Sequence, residues 1–177
     1  EKILLCVGRK PNIEGLGLEK AGVKTERGYI QVNDRMETSV PGIYAVGDCN
    51  GKLMLAHAAM AMGETAAENA AGGSKTFIAA YSPSCAYIGP ELAGVGYTEE
   101  QLKEKGVDYK VGRFVTAANG RSLVSGHVDG MVKIIAGEKY GEILGVHIMA
   151  PSASTFHFSL SYHIKKNPII VWLCMPG

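Results

Sequence analysis

The chain has 177 residues, of which 46% are hydrophobic, enough to bury the core of one large domain or of two small ones. Its formal net charge is +1 and its Lys and Arg residues are scattered, so nothing suggests a nucleic-acid partner. The longest apolar runs, at 3–7 and 169–175, are too short to cross a bilayer, and the first residues lack a secretory signal pattern, so we expect no membrane partner.

The first half of the chain alternates strand-like and turn-like segments. Residues 2–12 (KILLCVGRKPN) predict a buried strand that ends in a turn, because a continuous apolar run is typical of an interior strand. A short helical turn is expected within 14–23, and strands are expected over 28–32 and 43–46. The chain opens at Glu1 directly before the first apolar run, so we expect this start to be a cut within a longer sequence.

The clearest helix begins near Leu55 or Ala56 and ends at the glycine pair 72–73. Glu64 and Thr65, like residues 68 and 69, lie away from its predicted apolar stripe. That stripe consists of small and apolar residues three or four positions apart: Ala56, Ala59, Met60, Gly63, Ala67 and Ala70. The sequence therefore predicts an amphipathic helix here.

The composition changes near residues 73–80, where we place a domain boundary. Beyond it, Thr98 and Gln101 form the capping-box pattern of a short helix. Residues 113–122 contain an Asn-Gly pair and predict a turn. Three strand-like runs complete this part: 109–115, 130–136 and 142–149. The order of these elements predicts an α+β unit with a mainly antiparallel sheet.

The cysteines and histidines show no catalytic or metal-binding pattern. The four cysteines form neither a C-x-x-C nor a C-x-x-x-x-C pair: Cys6, Cys49, Cys85 and Cys174. We expect them to be free and mostly buried, packing as small apolar residues. The five histidines are dispersed, and none lies beside an obvious nucleophile. We therefore predict no metal site and no catalytic residue in this chain.

Asp48 stands out because it follows the predicted strand and Gly47, shortly before the main helix. Ligands of open α/β sheets collect at the carboxyl ends of strands. A carboxylate accepts hydrogen bonds from hydroxyl groups, and Gly47 would let a ligand approach the backbone. A helix start stabilises negative charge. Together these features suit a cofactor with a polyol and a ring that becomes anionic, such as flavin; the alternative is that Asp48 only caps a turn.

Several longer segments occur in the order typical of one family and cover residues 1–154: LLCVGRKPN, TSVPGIYAVGDC, MLAHAAMAMGETAAENAAG, GPELAGVGYTEEQLKEKG and EILGVHIMAPSAS. Through them the chain resembles the flavoprotein disulfide oxidoreductases, and most closely the dihydrolipoamide dehydrogenases. The resemblance implies an α/β plus α+β fold, in which the remnant of a nucleotide-binding FAD domain precedes an α+β interface or dimerisation domain. It implies four parts: 1–7, the last strand of an NAD-binding domain; 8–75, the C-terminal portion of the FAD domain; 78–154, the interface domain; and 155–177, a divergent tail.

The resemblance also implies the binding residues of two cofactors, FAD and NAD. Asp48 would hold the flavin ribityl chain, and the backbone before the helix would meet the flavin ring. His57 would act through its position at the helix start and not as a base, and Gly8 would lie beside the nicotinamide cofactor. The implied cofactor-binding residues are Gly8, Gly47, Asp48, Met54, Leu55, Ala56 and His57.

The implied enzyme is a homodimer that passes electrons from the dihydrolipoyl groups of a 2-oxo acid dehydrogenase or glycine cleavage complex through a redox disulfide and FAD to NAD⁺. It would work in the cytoplasm or, in a eukaryote, in the mitochondrial matrix. The chain lacks the family's C-x-x-x-x-C disulfide, both Gly-rich dinucleotide loops and the His–Glu base segment. We therefore expect it to be inactive alone and to hold flavin poorly. The alternatives are a fragment of a related disulfide or mercuric reductase, and a noncatalytic dimerisation or flavin-contact module.

The tail departs from the family. Residues 156–164 alternate apolar and polar side chains, which is a strand period where the family has a helix. We favour a frame shift or sequence error here over a genuine substitution.

Overall fold

The computed structural model describes residues 2–155. The chain forms two compact units that divide between Ala79 and Ala80. The helices and strands of the first unit are α1 (Leu18–Ala21), β1 (Thr25–Glu26), β2 (Tyr29–Ile30), a 3₁₀ turn (Asp48–Asn50) and α2 (Ala56–Ala70). The two short strands pair antiparallel, with Thr25 opposite Ile30. The predicted helical turn and the start of the predicted strand at 28–32 are thus present.

Two predicted strands of the first unit are wrong. Residues 2–10 have no regular structure, and Ile3 and Leu5 are 97% and 81% exposed. Within 43–46, Tyr44 forms only an isolated bridge to Glu37. A strand is stabilised by the backbone of a neighbouring strand, and no strand in the described range 2–155 pairs with residues 2–7. The buried segment expected from an apolar run is therefore an exposed one.

Helix α2 is confirmed, but its buried face differs from the predicted stripe. The residues that face the core are Ala58, Met62, Thr65, Ala66 and Asn69, whereas Met60 of the predicted stripe is 71% exposed. Ala58 and Met62 have no exposed surface and pack with Met36 and Phe77. Thr65 tolerates burial because its hydroxyl donates to the carbonyl of Ala61 at 2.8 Å.

The second unit is built on a five-stranded antiparallel sheet of order β3-β4-β7-β6-β5. Its elements are a 3₁₀ turn at the unit boundary (Ala79–Tyr81), β3 (Ser84–Ala86), β4 (Glu91–Gly96), α3 (Glu99–Glu104), β5 (Tyr109–Val115), a 3₁₀ turn (Thr116–Ala118), α4 (Gly120–Ser125), β6 (Met131–Gly137) and β7 (Ile143–Ala150). The three predicted strands and the antiparallel sheet are confirmed. Where α4 lies, the sequence pattern had predicted only a turn. Strands β3 and β4 had not been predicted.

One face of this sheet carries the core of the second unit. Val95 and Val146 are opposite each other in the register and are 3% and 1% exposed. Ala93 and Ile148, the next opposed pair on the same face, belong to the same buried cluster. Alternate residues of a strand point to the same face, so the cluster follows from the register. The two units thus combine helices with antiparallel sheets, and the predicted α/β plus α+β fold class is confirmed.

The predicted capping box of α3 is present in both directions. The Gln101 amide N–H donates to the Thr98 hydroxyl at 3.3 Å, and the Thr98 amide N–H donates to the Gln101 side chain at 3.0 Å. Each bond satisfies an amide at the helix end that has no intrahelical acceptor. Of the helices in 2–155, none combines the length and apolar character needed to cross a membrane.

The cysteines of the described range are free, but they are not mostly buried as predicted. Cys6 is exposed, because it lies in the irregular segment 2–10, and Cys49 and Cys85 are half-buried. Cys174 and the predicted divergent tail, 155–177 except for its first residue, lie outside the described residues.

Candidate functional site

The site begins at the turn that carries Asp48. Gly47 is buried and has φ of 80°, a backbone conformation that side chains rarely adopt. Asp48 follows as the first residue of the 3₁₀ turn, and its side chain is 47% exposed. The left-handed glycine thus lets the chain leave the core and present a carboxylate at the surface immediately afterwards.

Two neighbours hold this turn in place. Met62 of α2 accepts hydrogen bonds at its sulfur from the Gly47 amide and from the Asn50 side chain, each at 3.4 Å. Asn50 is buried, and its amide group also donates to the carbonyl of Ala45 at 3.0 Å, while its oxygen accepts from the Lys52 amide at 3.0 Å. Neither Met62 nor Asn50 was predicted to support the site. For Asn50 the sequence does contain a local indication, because it follows the Gly47-Asp48 pair by two residues and asparagine is common in turns.

The start of α2 lies a few residues after the turn. Leu55 is the N-cap residue, in extended conformation, and its side chain makes no capping hydrogen bond. Ala56 is exposed and His57 is half-buried in the first helical turn, which contains no acidic residue. A 15-residue helix carries a partial positive charge at this end. No carboxylate of its own first turn therefore offsets that charge.

Arg9 connects these two features. Its Nη1 donates to Oδ2 of Asp48 at 2.9 Å, and its Nη2 donates to the carbonyl oxygen of Met54. Gly8, which precedes Arg9, is exposed and has φ of 75°. Gly8 was predicted to belong to the site but Arg9 was not, because a contact between residues 39 positions apart leaves no local pattern in the sequence.

Cys49 is the thiol closest in sequence to the carboxylate. Burial raises the pKa of Cys49, and the negative charge of Asp48 raises it further. Its Sγ donates to the carbonyl of Val46 at 3.2 Å. The neutral thiol is therefore favoured, and a thiolate nucleophile is not.

The described residues present groups that suit a ligand combining hydroxyl groups with negative charge. The half-exposed Asp48 accepts hydrogen bonds from hydroxyls, and the α2 start and Arg9 favour an anion. Of the predicted residues, the structure brings Asp48 and Met54 together through Arg9, and chain continuity places Gly47 and residues 55–57 beside them. Within residues 2–155, no group of three or more His, Cys, Asp and Glu could hold a metal ion.

Two family models match the chain. The model described as pyridine nucleotide-disulphide oxidoreductase matches residues 1–63, and the dimerisation-domain model of the same family matches residues 82–168. Together they cover most of both units, including the turn of Asp48. The chain belongs to the pyridine nucleotide-disulphide oxidoreductase family, and the resemblance found in the sequence is confirmed.

Individual relatives agree with this membership. The dihydrolipoyl dehydrogenase of Thermus scotoductus is 52% identical over 154 residues, which are 86% of this chain and 33% of the relative. The mitochondrial dihydrolipoyl dehydrogenase of Homo sapiens is 45% identical over 85% of this chain and 30% of its own length. The chain therefore spans about a third of the length of these curated relatives.

Solved structures show the same fold. LpdA of Mycobacterium tuberculosis superposes with a TM-score of 0.82 and 30% identity, covering 90% of this chain and 35% of LpdA. The flavoprotein disulfide reductase RclA of Escherichia coli superposes with a TM-score of 0.73 and 27% identity, covering 89% of this chain and 37% of RclA.

Proposed function

We propose that the chain is part of an FAD-dependent dihydrolipoamide dehydrogenase, to which it contributes flavin contacts and a dimer interface. The observation that carries the flavin assignment is the joint exposure of the Asp48 carboxylate and the uncapped start of α2, tied together by Arg9. The names of the relatives support the choice of activity. The dimerisation-domain match supports a homodimer.

In this proposal each residue of the site has a defined task. Asp48 accepts hydrogen bonds from the ribityl hydroxyls, and Gly47 keeps the backbone beside it free of a side chain. The Met54–His57 backbone and the α2 start stabilise negative charge on the flavin ring. His57 acts through its position in the first turn and transfers no proton. Bound FAD supplies the redox chemistry that connects a dithiol to a nicotinamide.

The remaining assignments follow from the same proposal. Gly8 lies beside the nicotinamide cofactor NAD, and the lipoyl-bearing proteins of a 2-oxo acid dehydrogenase or glycine cleavage complex are the partners. The four parts are 1–7 of an NAD-binding domain, 8–75 of the FAD domain, the interface domain 78–154, and the divergent tail 155–177. The compartment is the cytoplasm or a mitochondrial matrix; the mitochondrial relatives support the second option for a eukaryote.

The proposed flavin site can be tested with the 177-residue chain. FMN, which dissolves to high concentration, is titrated into ¹⁵N-labelled protein, and amide shifts of residues 47–57 are followed. We expect weak binding that moves these amides, because the chain carries no Gly-rich phosphate loop. Asp48→Ala should weaken FMN binding by about tenfold or more, the cost of one hydrogen bond to a charged group.

Asp129→Ala is the matched control, since it removes an exposed carboxylate from the second unit. It should leave the affinity for FMN unchanged. Equal affinities of the two variants, or amide shifts confined to other residues, would contradict the flavin assignment. The same preparation should show no lipoamide–NAD turnover, because the redox disulfide pattern is absent from its sequence.

A further inference from the structure

We propose that Arg9 is the positioning residue of this site, which holds the Asp48 carboxylate and the segment before α2 in one arrangement. This inference rests on the proposed flavin-binding function. Its basis is that a single guanidinium contacts both parts: Nη1 donates to Asp48 Oδ2 at 2.9 Å, and Nη2 donates to the Met54 carbonyl.

The shape of the guanidinium is what makes the connection directional. The two Nη groups of an arginine lie in one rigid plane, so their hydrogen bonds fix two acceptors relative to each other. Here the acceptors are six residues apart, one at the start of the 3₁₀ turn and one just before the N-cap of α2. A lysine ammonium has the same charge but is a point donor without this fork.

The contact between Arg9 and Asp48 also determines which carboxylate oxygen of Asp48 can accept a hydrogen bond from a ligand. Arg9 occupies Oδ2, whereas within the described residues Oδ1 receives no hydrogen bond. Because a carboxylate bonded on one oxygen loses rotational freedom about its Cβ–Cγ bond, Oδ1 is held in one direction. Arg9 thereby presents a single, oriented acceptor to the hydroxyl chain.

The contact to Met54 orients the peptide that leads into α2. The Met54 carbonyl belongs to the peptide bond whose N–H is that of Leu55, and that N–H donates to the Leu53 carbonyl at 3.0 Å. Fixing both ends of this peptide fixes the direction in which the chain enters the helix. The amides of the first turn then point in a set direction.

Arg9 also balances charge at the site. An uncompensated Asp48 would repel a ring that becomes anionic on reduction, since like charges a few ångströms apart oppose each other strongly outside bulk water. The Arg9 side chain is 60% exposed, so its pair with Asp48 adds little to folding stability. Its main effect should therefore appear in ligand binding and not in the unfolding temperature.

The test uses variants of the 177-residue chain and two probes, riboflavin and FMN, which differ by one phosphate. Arg9→Met keeps the aliphatic stem and removes the fork, and Arg9→Lys keeps the charge alone. Lys10→Met is the matched control, because Lys10 carries the same charge one residue away. Among residues 2–155 its one ion pair is with Glu14, and both side chains are 82% exposed. Amide shifts of residues 47–57 report affinity, and those of residues 54–57 without flavin report the position of the segment.

We expect Arg9→Met to weaken both probes equally, by about tenfold, as for the loss of a charged hydrogen-bond partner. Arg9→Lys should still bind both probes several-fold more weakly than the unaltered chain does. Lys10→Met should bind them with the affinity of the unaltered chain. In an Asp48→Ala background the Arg9→Met effect should be smaller, because the part that acts through Asp48 is already lost and only the contact with the Met54 carbonyl remains. Without flavin, Arg9→Met should shift the amides of residues 54–57, and Lys10→Met should not.

The outcomes separate this inference from the function on which it rests. An unaltered chain whose residues 47–57 respond to neither probe would remove the flavin assignment, and the role of Arg9 with it. A chain that binds flavin, but in which Arg9→Met and Lys10→Met behave alike, would overturn only the role of Arg9. An Arg9→Met effect confined to FMN would identify a direct phosphate contact and overturn the positioning role. An effect that persists undiminished with Asp48→Ala would show that Arg9 does not act through Asp48, and it would overturn that role as well.

Discussion

The most informative perturbation of the first unit is Met62→Ala, because Met62 links its core to the Asp48 turn. Its side chain is fully buried in the cluster with Met36, Ala58 and Phe77. Its sulfur also accepts the Gly47 amide and the Asn50 side chain. Met60→Ala is the matched control, since Met60 lies on the same helix and is 71% exposed.

The expected difference between these variants is large. Truncating a fully buried methionine to alanine costs roughly 2–5 kcal/mol, through lost burial and the cavity left behind. The cost of Met62→Ala should lie in the upper part of that range, because the substitution also leaves the Gly47 amide without its acceptor. Met60→Ala should change the free energy of unfolding by less than about 0.5 kcal/mol. Met62→Leu nearly keeps the volume but not the sulfur acceptor, so it should cost about 1–2 kcal/mol.

Urea unfolding followed by NMR signals of the first unit measures these differences, since the chain contains two units. With a urea slope of about 1.5 kcal/mol per M, a loss of about 4 kcal/mol lowers the midpoint by about 2.7 M. Should Met62→Ala leave too little folded protein to titrate, Met62→Leu provides the comparison with Met60→Ala. Equal midpoints for the Met60 and Met62 variants would refute the buried face described for α2.

Two further predictions concern the second unit. Gly145→Ala should destabilise it by about 1–3 kcal/mol or more, because a Cβ there would collide with the Tyr97 carbonyl oxygen, whereas Gly120→Ala, with open space around it, should stay within about 0.5 kcal/mol in the same urea titration. Lys133 lowers the pKa of Glu99, chiefly through a hydrogen bond of 3.1 Å, and Arg113 contributes at 3.0 Å. The ionised form therefore stabilises the fold above the ordinary value of 4.5, and this contribution is lost as pH falls through the lower folded pKa, so acid unfolding should be less steep below pH 4.5 in Glu99→Gln. Parallel acid-unfolding curves for the two proteins would contradict this.

The second unit was largely predictable because its strands find their partners within the chain. The runs at 109–115, 130–136 and 142–149 pair with one another as β5, β6 and β7, so the local pattern and the pairing agree. Strands β3 and β4 were not predicted because Gly and Pro residues divide this region into short apolar pieces. Gly89 and Pro90 lie between the two strands, and Gly94 lies within β4. Helix α4 was missed because an Asn-Gly pair indicates a turn, although Asn119 is in fact its N-cap and accepts the Ser122 amide at 3.1 Å.

In the first unit the decisive information is not local. An apolar run becomes a buried strand only beside another strand, and residues 2–7 have none in the described range. The buried face of helix α2 likewise depends on contacts with segments outside the helix. Asn69 looks like a surface residue, yet it is buried because its amide donates to the carbonyls of Arg35 at 3.0 Å and Lys75 at 2.8 Å.

The partners of Asn69 come from segments that precede and follow the helix, so polarity along α2 alone cannot reveal its buried side. Half of the other residues of α2 are alanine, so such backbone acceptors outweigh the weak hydrophobic preference of the small side chains. Arg9 follows the same rule, since its two acceptors lie about forty residues along the chain. The place of Asp48 at the turn before α2 could therefore be predicted from its local motif. Its contact with Arg9, and the support of the turn by Met62, required the folded chain.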